Sequence, residues 1–356
     1  MEKLRRCDSL WEKLKNESRP VVLYGTGNGA DKILDVCIKF GITVSGVFAS
    51  SGFVRDRYFR GMKVKSLQEL EAEHGDFVVL LCFGTTLETV AENIRALGEK
   101  HTLYIPEVPL YGTELFDYDY YESHFDRIEA AEKLFADERS RRLFCDMINF
   151  RLTGDPKYLA IVENPEASYR TLLWDKDIET VVDCGAYRGD SAACIIDAVG
   201  PRRIIAAEPD PGSFKKLSAY AENEKRSEIV PVNAAVGEAC GDVEIAASAG
   251  RGSGVSGTTR GAKTKTVRLC TVDSLAENEK IDLIKYDVEG EEWAALRGSI
   301  KTIERCSPAL AVSVYHRTAD LFELPIYINE ICPKHRLYLR RAPCIPAWDI
   351  VLFAAV

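Results

Sequence analysis

No two cysteines in this chain are spaced as CxxC, although its 356 residues include 11 of them. Most sit in apolar runs, as Cys37, Cys82, Cys184 and Cys194 do. That pattern disfavours a zinc site or a disulfide framework and fits free thiols in a reducing compartment. Long apolar runs are missing too, so no segment is expected to span a bilayer. The opening Met1-Glu2-Lys3-Leu4-Arg5-Arg6 leads into no signal-like apolar core, and a cytoplasmic location is expected. Nor is there an excess of basic charge. The formal net charge of -9 argues against a non-specific nucleic-acid binder, a local basic groove apart. No repeat of solenoid period is present. What remains is an ordinary globular composition, 46% apolar and 28% charged, in a chain long enough for two domains.

Residues 1–19 read as a short amphipathic helix with Leu4, Leu10, Trp11 and Leu14 on one side, ended by Pro20. Strand and helix patterns then alternate over residues 20–110, which implies a parallel sheet with helices on its faces, a Rossmann-like domain. Residues 106–122 are rich in Pro, Tyr and Asp and are expected to be irregular, and 123–152 have a helical apolar stripe. Residues 111–177 are taken as a connector. From 178 to 356 the alternation returns, with strands expected at 179–184, 203–207, 229–236, 281–286 and 308–314. Two further runs, 335–340 and 350–354, have no helix between them and should pair antiparallel. The fold class is therefore α/β, with a second sheet of seven strands ending in an antiparallel hairpin, the arrangement of the common methyltransferase fold. Residues 248–266, rich in Gly, Ser and Arg, read either as a floppy surface loop or as a basic lid over the substrate.

The most informative stretch is Val181-Val182-Asp183-Cys184-Gly185-Ala186-Tyr187-Arg188-Gly189-Asp190-Ser191. It reads as a strand ending in an acid, a small-residue turn, and the start of a helix. A second apolar run ends in Glu208, which can accept hydrogen bonds from ribose hydroxyls. Tyr187 stands where a dinucleotide fingerprint would need its second glycine to admit a pyrophosphate. A nucleoside cofactor without phosphates is expected instead, S-adenosylmethionine. In that pose Gly185 and Ala186 pass beneath the methionine portion, and Asn233, Ala234 and Ala235 border the adenine. Asp183, Tyr187, Asp190, Ser191 and Asp287 complete the expected cofactor set.

A second constellation, Ile281-Asp282-Leu283-Ile284-Lys285-Tyr286-Asp287-Val288-Glu289-Gly290-Glu291-Glu292, places carboxylates at the end of a strand, where ligands of open α/β sheets bind. Asp287 and Glu289 are candidates to hold an ammonium, orient a hydroxyl or bind a metal, although no metal is assigned. Glu291 and Glu292 suit the start of a helix, where acids complement its dipole. His316, at the end of the next strand, is a candidate general base or a structural residue. Direct displacement would have a hydroxyl oxygen attack the methyl carbon while His316 or Asp287 takes its proton, with Tyr187 or Tyr286 offering an aromatic face to the sulfonium.

Three segments together, 183–190, 271–275 and 281–292, resemble the FkbM-type S-adenosylmethionine-dependent methyltransferases over residues 178–354. The last segment resembles the family pattern iDliKiDvEGaE, departing from it at Tyr286 and Glu291. The resemblance implies O-methylation, often of carbohydrate or polyketide hydroxyls, and leaves the acceptor open.

The N-terminal turn, Gly25-Thr26-Gly27-Asn28-Gly29-Ala30, fits GxGxxA between a strand and a helix. No acid ends the second strand, Gly46-Val47-Phe48-Ala49-Ser50, and no TyrxxxLys dyad lies nearby. The segment is similar to Rossmann-like domains of bacterial sugar-modifying enzymes. It reads as a ligand-free platform or dimer surface, as a nucleotide-sugar site with Ser50, Ser51, Arg55 and Arg57 toward phosphate, or as an NAD site. Two rivals to the methyltransferase thus stay open: an NAD-dependent enzyme of sugar nucleotides and a non-catalytic nucleotide-sugar binder. The expected partners are a small molecule, a sugar or sugar-bearing metabolite, and a second copy in a homodimer, with no nucleic acid and no membrane.

Overall fold

The computed structural model describes residues 3–50, 57–246 and 264–356. Its first sheet has six strands: β1 (Val21–Tyr24), β2 (Val44–Phe48), β3 (Tyr58–Phe59), β4 (Met62–Lys65), β5 (Val78–Leu81) and β6 (Thr102–Tyr104). They lie in the order β3-β4-β2-β1-β5-β6. All pairs are parallel except β3 with β4, a small hairpin that sequence patterning does not mark. Strands β1 and β5 are buried along their whole length, which is why they read as unbroken apolar runs rather than alternations.

Ten further strands follow: β7 (Thr180–Cys184), β8 (Arg203–Ala207), β9 (Glu228–Val232), β10 (Ala235–Val236), β11 (Gly241–Ala246), β12 (Thr264–Cys270), β13 (Leu283–Tyr286), β14 (Ala309–Ser313), β15 (Arg336–Arg341) and β16 (Ile350–Ala355). Seven form a sheet in the order β15-β16-β14-β13-β7-β8-β9. β16 runs antiparallel to both of its neighbours, as the missing helix between the last two runs implies. The strand order reverses at β7, whose neighbours are β8 and β13. The crevice outside the carboxyl ends of β7, β8 and β13 is therefore the place where such sheets bind ligands.

The expected strand 229–236 is in fact two. The chain breaks at Asn233 and Ala234, and β10 joins a separate three-stranded sheet with β12 and β11. The anticipated loop at 248–266 falls mostly outside the described residues, and its last three positions belong to β12. Residues 106–122 are irregular except at their end, where the helix Tyr118–Ser123 begins.

The helices Phe125–Leu134 and Glu138–Thr153 carry the expected buried stripe, with Ile128, Leu143, Phe144, Met147 and Ile148 all inside. One apolar cluster runs from Val22 and Val79 of the first sheet through Phe144 and Met147 to Val182 and Ile284 of the second. The two sheets also meet directly. Thr85 and Ile345 exchange backbone hydrogen bonds of 2.6 and 3.0 Å. Trp348 lies so close over Gly84 that a Cβ there would stand 2.2 Å from its ring.

Candidate active site

The turn after β7 is shaped by contact with the neighbouring strand. Gly185 has φ +84°, and a Cβ on it would come within 1.9 Å of the Asp287 carbonyl oxygen, so only glycine fits. Its amide donates to Ala207 O at 3.0 Å, fastening the turn to β8. Tyr187, also at positive φ (49°), donates its amide to Glu208 Oε2 at 2.9 Å. Asp210 N donates to the other oxygen, Oε1, at 2.7 Å. The buried Glu208 carboxylate is thereby held at the mouth of the crevice with half of its lone-pair positions still free. Burial pushes its pKa up to about 7, the two backbone donors pulling only partly against it. The Asn233 side-chain amide donates to Glu208 O at 2.8 Å and ties the ends of β8 and β9 together.

Asp183 lies deeper. It is fully buried, accepts from Ser191 Oγ at 2.5 Å, and has Oδ1 3.1 Å from Lys285 Nζ. Lys285 also donates to Gly185 O at 3.0 Å and stands 3.7 Å from Asp287 Oδ2. Burial alone would lower the Lys285 pKa, but Asp183 and then Asp287 outweigh it and hold the ammonium charged. Asp183 and Ser191 thus support the turn from beneath. Ala234 and Ala235 are buried, and Ala235 has already left the main sheet. Asp190 is exposed at the first position of the helix Asp190–Val199.

Around Asp287 a second group of polar side chains converges. Asp287 Oδ1 accepts from Ser313 Oγ at 2.9 Å and from Tyr315 Oη at 3.3 Å. Burial would raise this carboxyl's pKa, yet Lys285, His316 and the two hydroxyls hold it below the ordinary value. His316 Nδ1 is 2.8 Å from Glu292 Oε1, which also accepts from Val288 N at 3.0 Å. His316 Nε2 is 3.6 Å from both Asp287 Oδ1 and Glu289 Oε2. Burial works to lower the imidazole pKa, but Glu292 first, then Asp287 and Glu289, carry it up to about 10. Glu289 accepts a 2.6 Å hydrogen bond from Tyr111 Oη, which reaches in from the segment between the two sheets. A narrow cleft with room for little more than a water molecule opens beside His316, lined among others by Glu107, Phe116, Tyr315, Arg317 and Trp348.

Asp183, Gly185, Ala186, Glu208, Asp287, Glu289 and His316 therefore belong to one side of one sheet. Two sequence expectations do not match. Tyr286 points away from the crevice into the core and donates to Ser299 Oγ at 2.8 Å, because neighbours on a strand alternate in direction. Glu292 is fully buried on His316 rather than a solvent-facing acid at a helix start. Lys285, Ser313, Tyr315 and Tyr111 were not singled out from the sequence. For Lys285 a signal was available, since a lysine inside an apolar strand requires a buried counter-charge. For Tyr111, which lies 178 residues from Glu289, there was none.

In the first sheet Phe83 stands 3.0 Å from where a Gly25 Cβ would be, and Tyr24 stacks on Phe48 with ring centroids 4.5 Å apart. Tyr24 Oη and Ser50 Oγ are 2.7 Å apart, and Arg57 donates to Thr26 Oγ1 at 2.6 Å. Ser51 and Arg55 lie outside the described residues. No helix among the described residues is long and apolar enough to cross a membrane.

Residues 183–342 match the family model of the methyltransferase FkbM domain. Among solved structures the chain is similar to a methyltransferase FkbM from Methylobacillus flagellatus KT, at 22% identity and a TM-score of 0.67, over 95% of this chain and 90% of that one. That likeness concerns the fold, and it extends across both sheets. An rRNA methylase from Streptococcus thermophilus is 13% identical, with a TM-score of 0.36, over 55% of this chain and 98% of that one. A fibrillarin from Aeropyrum pernix with natively bound S-adenosyl-L-methionine is 14% identical, with a TM-score of 0.32, over 53% of this chain and 74% of that one. No curated protein matched the sequence.

Proposed function

We propose that this chain, a methyltransferase whose residues 183–342 belong to the FkbM family, takes its methyl group from S-adenosylmethionine and delivers it to a hydroxyl oxygen of a carbohydrate or other small metabolite. The observation that carries the reading is the Glu208 carboxylate. It stands beside a glycine turn at the carboxyl end of β8, fixed by two backbone amides, with acceptor capacity left for a pair of vicinal hydroxyls. The donor set fits adenosine without needing phosphate contacts.

When bound, the cofactor supplies an electrophilic methyl group on a sulfonium. The chain's own residues do the rest. Glu208 anchors the ribose, Asn233 keeps the adenine side of the crevice in place, and the Gly185-Ala186 backbone runs beneath the amino-acid portion. Asp287 and Glu289, at the end of β13, accept the hydrogen of the acceptor hydroxyl and turn its oxygen toward the methyl group. His316, surrounded by three carboxylates, holds a proton at neutral pH and in that form cannot serve as the base. The aromatic residues Phe116, Tyr315 and Trp348 offer flat apolar faces to the acceptor. The connector, residues 111–177, contributes by placing Tyr111 on Glu289, and the first sheet acts as the platform that positions it. The cysteines, scattered through apolar runs with no CxxC spacing, are consistent with work in a reducing cytoplasm.

Calorimetry on the full chain with S-adenosylhomocysteine, NAD and nucleotide sugars tests the cofactor. Saturable binding of the first alone is expected. Binding of NAD without it would overturn the assignment. Transfer of a labelled methyl group to a panel of carbohydrates tests the acceptor class.

A further inference from the structure

The helix behind the N-terminal glycine turn, Asn28–Lys39, reaches the active site of the second sheet through one lysine. Gly29 lets this helix close onto the end of β5, where a Cβ would stand 2.3 Å from Cys82 O. On the next turn Lys32 Nζ donates to Pro109 O at 2.7 Å and to Leu110 O at 3.1 Å. Burial pulls the Lys32 pKa down, and among the described residues no carboxylate pairs with it. The ammonium is thus committed to two successive carbonyls, those directly before Tyr111. Residues 107–114 form a strap that is fastened at both ends. Glu107 Oε1 lies 2.8 Å from Arg151 Nε, and the Glu114 carbonyl accepts from Thr318 Oγ1. In the middle of the strap Tyr111 sets its ring edge-on to His316, with centroids 5.8 Å apart, and donates to Glu289 Oε2 at 2.6 Å. Burial, then Glu289, hold the phenol well above its ordinary pKa, so it stays a donor.

Glu289 needs such a hold. It stands at φ +56°, in the left-handed region that a non-glycine residue keeps only where its surroundings fix it, and is followed by Gly290 at +93°. Its side chain is 33% exposed, and Oε1 makes no hydrogen bond among the described residues. We propose that Lys32 and Tyr111 are positioning residues, a latch through which the helix of the first sheet fixes the Glu289 carboxylate at the end of β13 and leaves Oε1 to the acceptor. The GxGxxA turn then serves the packing of that helix rather than a nucleotide. The latch itself stands on geometry, and its effect on turnover rests on the methyl-transfer reading, since a hydroxyl that is poorly oriented toward the methyl group reacts slowly.

The test has two arms. In the first, the full chain is labelled with ¹³Cζ-tyrosine and examined by NMR without cofactor or acceptor, and Tyr111→Phe identifies the Tyr111 signal among the 15 tyrosines. A phenol donating to a carboxylate should resonate downfield of the exposed tyrosines. The signal should move upfield in Glu289→Gln, which removes the charge, and in Lys32→Met, which keeps the bulk of the lysine and removes its donors. A signal that stays in place in Lys32→Met, or in Lys32→Gln should the former fail to fold, overturns the latch. In the second arm, labelled methyl transfer to the carbohydrate panel should show a kcat about tenfold or more lower in Tyr111→Phe and in Lys32→Met, with the KM for S-adenosylmethionine unchanged. An unchanged kcat in Tyr111→Phe overturns the positioning role. Transfer to no carbohydrate by the unsubstituted chain, with the NMR shifts as expected, would support the latch and count against the methyl-transfer reading instead.

Discussion

The two glycine turns of this molecule share a backbone and differ in chemistry. At each, the glycine after the central strand donates its amide to the last carbonyl of the next strand, Gly25 to Phe48 at 2.9 Å and Gly185 to Ala207 at 3.0 Å. Registers align the surroundings position by position. Leu23 faces Leu80 across β1 and β5, where Asp183 faces Lys285 across β7 and β13. The residue after the neighbouring strand is Ala49 in one and Glu208 in the other. Topology therefore provides two crevices, and three side-chain differences provide charge to only one. The first is filled by Phe83 and the Tyr24–Phe48 stack, and the second is lined by carboxylates and one lysine.

The largest effect should come from removing the charge at the centre of the second crevice. Lys285→Met leaves Asp183 buried and unpaired, and breaking a buried pair in this way costs about 3–5 kcal/mol. Urea unfolding should register that loss. Leu80→Met, the matching change in the first sheet, should cost less than about 1.5 kcal/mol, because it conserves volume and strands no charge. Equal losses for the two would mean that the Asp183–Lys285 pair does not distinguish the turns.

Next in size is Glu208→Ala. Losing the acceptor of two ribose hydroxyls forfeits charged hydrogen bonds of about 1.5–3 kcal/mol, or roughly 10- to 100-fold in S-adenosylhomocysteine affinity by calorimetry. Retained affinity would move the nucleoside away from β8.

A smaller effect should follow pH. The Glu208 pKa is raised to about 7 in the folded chain, so between the ordinary carboxylate value and 7 the folded state holds a proton that the unfolded state has released. Its contribution to stability must then fall as pH rises through that window. Ligand affinity runs the other way, since the ionised carboxylate is the stronger acceptor. S-adenosylhomocysteine should bind up to about tenfold more tightly at pH 8 than at pH 6. Glu208→Gln should flatten that profile, and an unchanged slope would assign the proton to another group.

How much of this was legible beforehand follows from which signals are local. Gly185, Glu208 and Asp287 stand at strand ends, and strand ends can be read from apolar runs and turn residues. The antiparallel close of the seven-stranded sheet was accessible because the last two strands lack a helix between them. The hairpin β3–β4 was not, as its two- and four-residue strands carry too little pattern. Nor could spacing show that Glu292 turns inward onto His316, because the helix start it occupies suits a solvated acid equally well. Tyr111 depends on packing between segments far apart in the chain, and no periodicity encodes that.

The smallest effect should lie at the N-terminal turn, and it bears most directly on what the first sheet does. Its glycines satisfy a dinucleotide pattern, yet Thr26 Oγ1 already accepts from Arg57 and Phe83 lies against Gly25. A pyrophosphate would have to displace an aromatic ring from the place where the second sheet keeps a bare backbone. Thr26→Ala and Arg57→Ala should therefore change S-adenosylhomocysteine affinity by less than about 0.5 kcal/mol, as surface substitutions remote from a site do. Calorimetry with NAD should detect no binding to either variant or to the unsubstituted chain. NAD binding that Arg57→Ala weakens would give the first crevice a ligand of its own, and the contrast between the turns would then lie in which cofactor each holds rather than in whether it holds one.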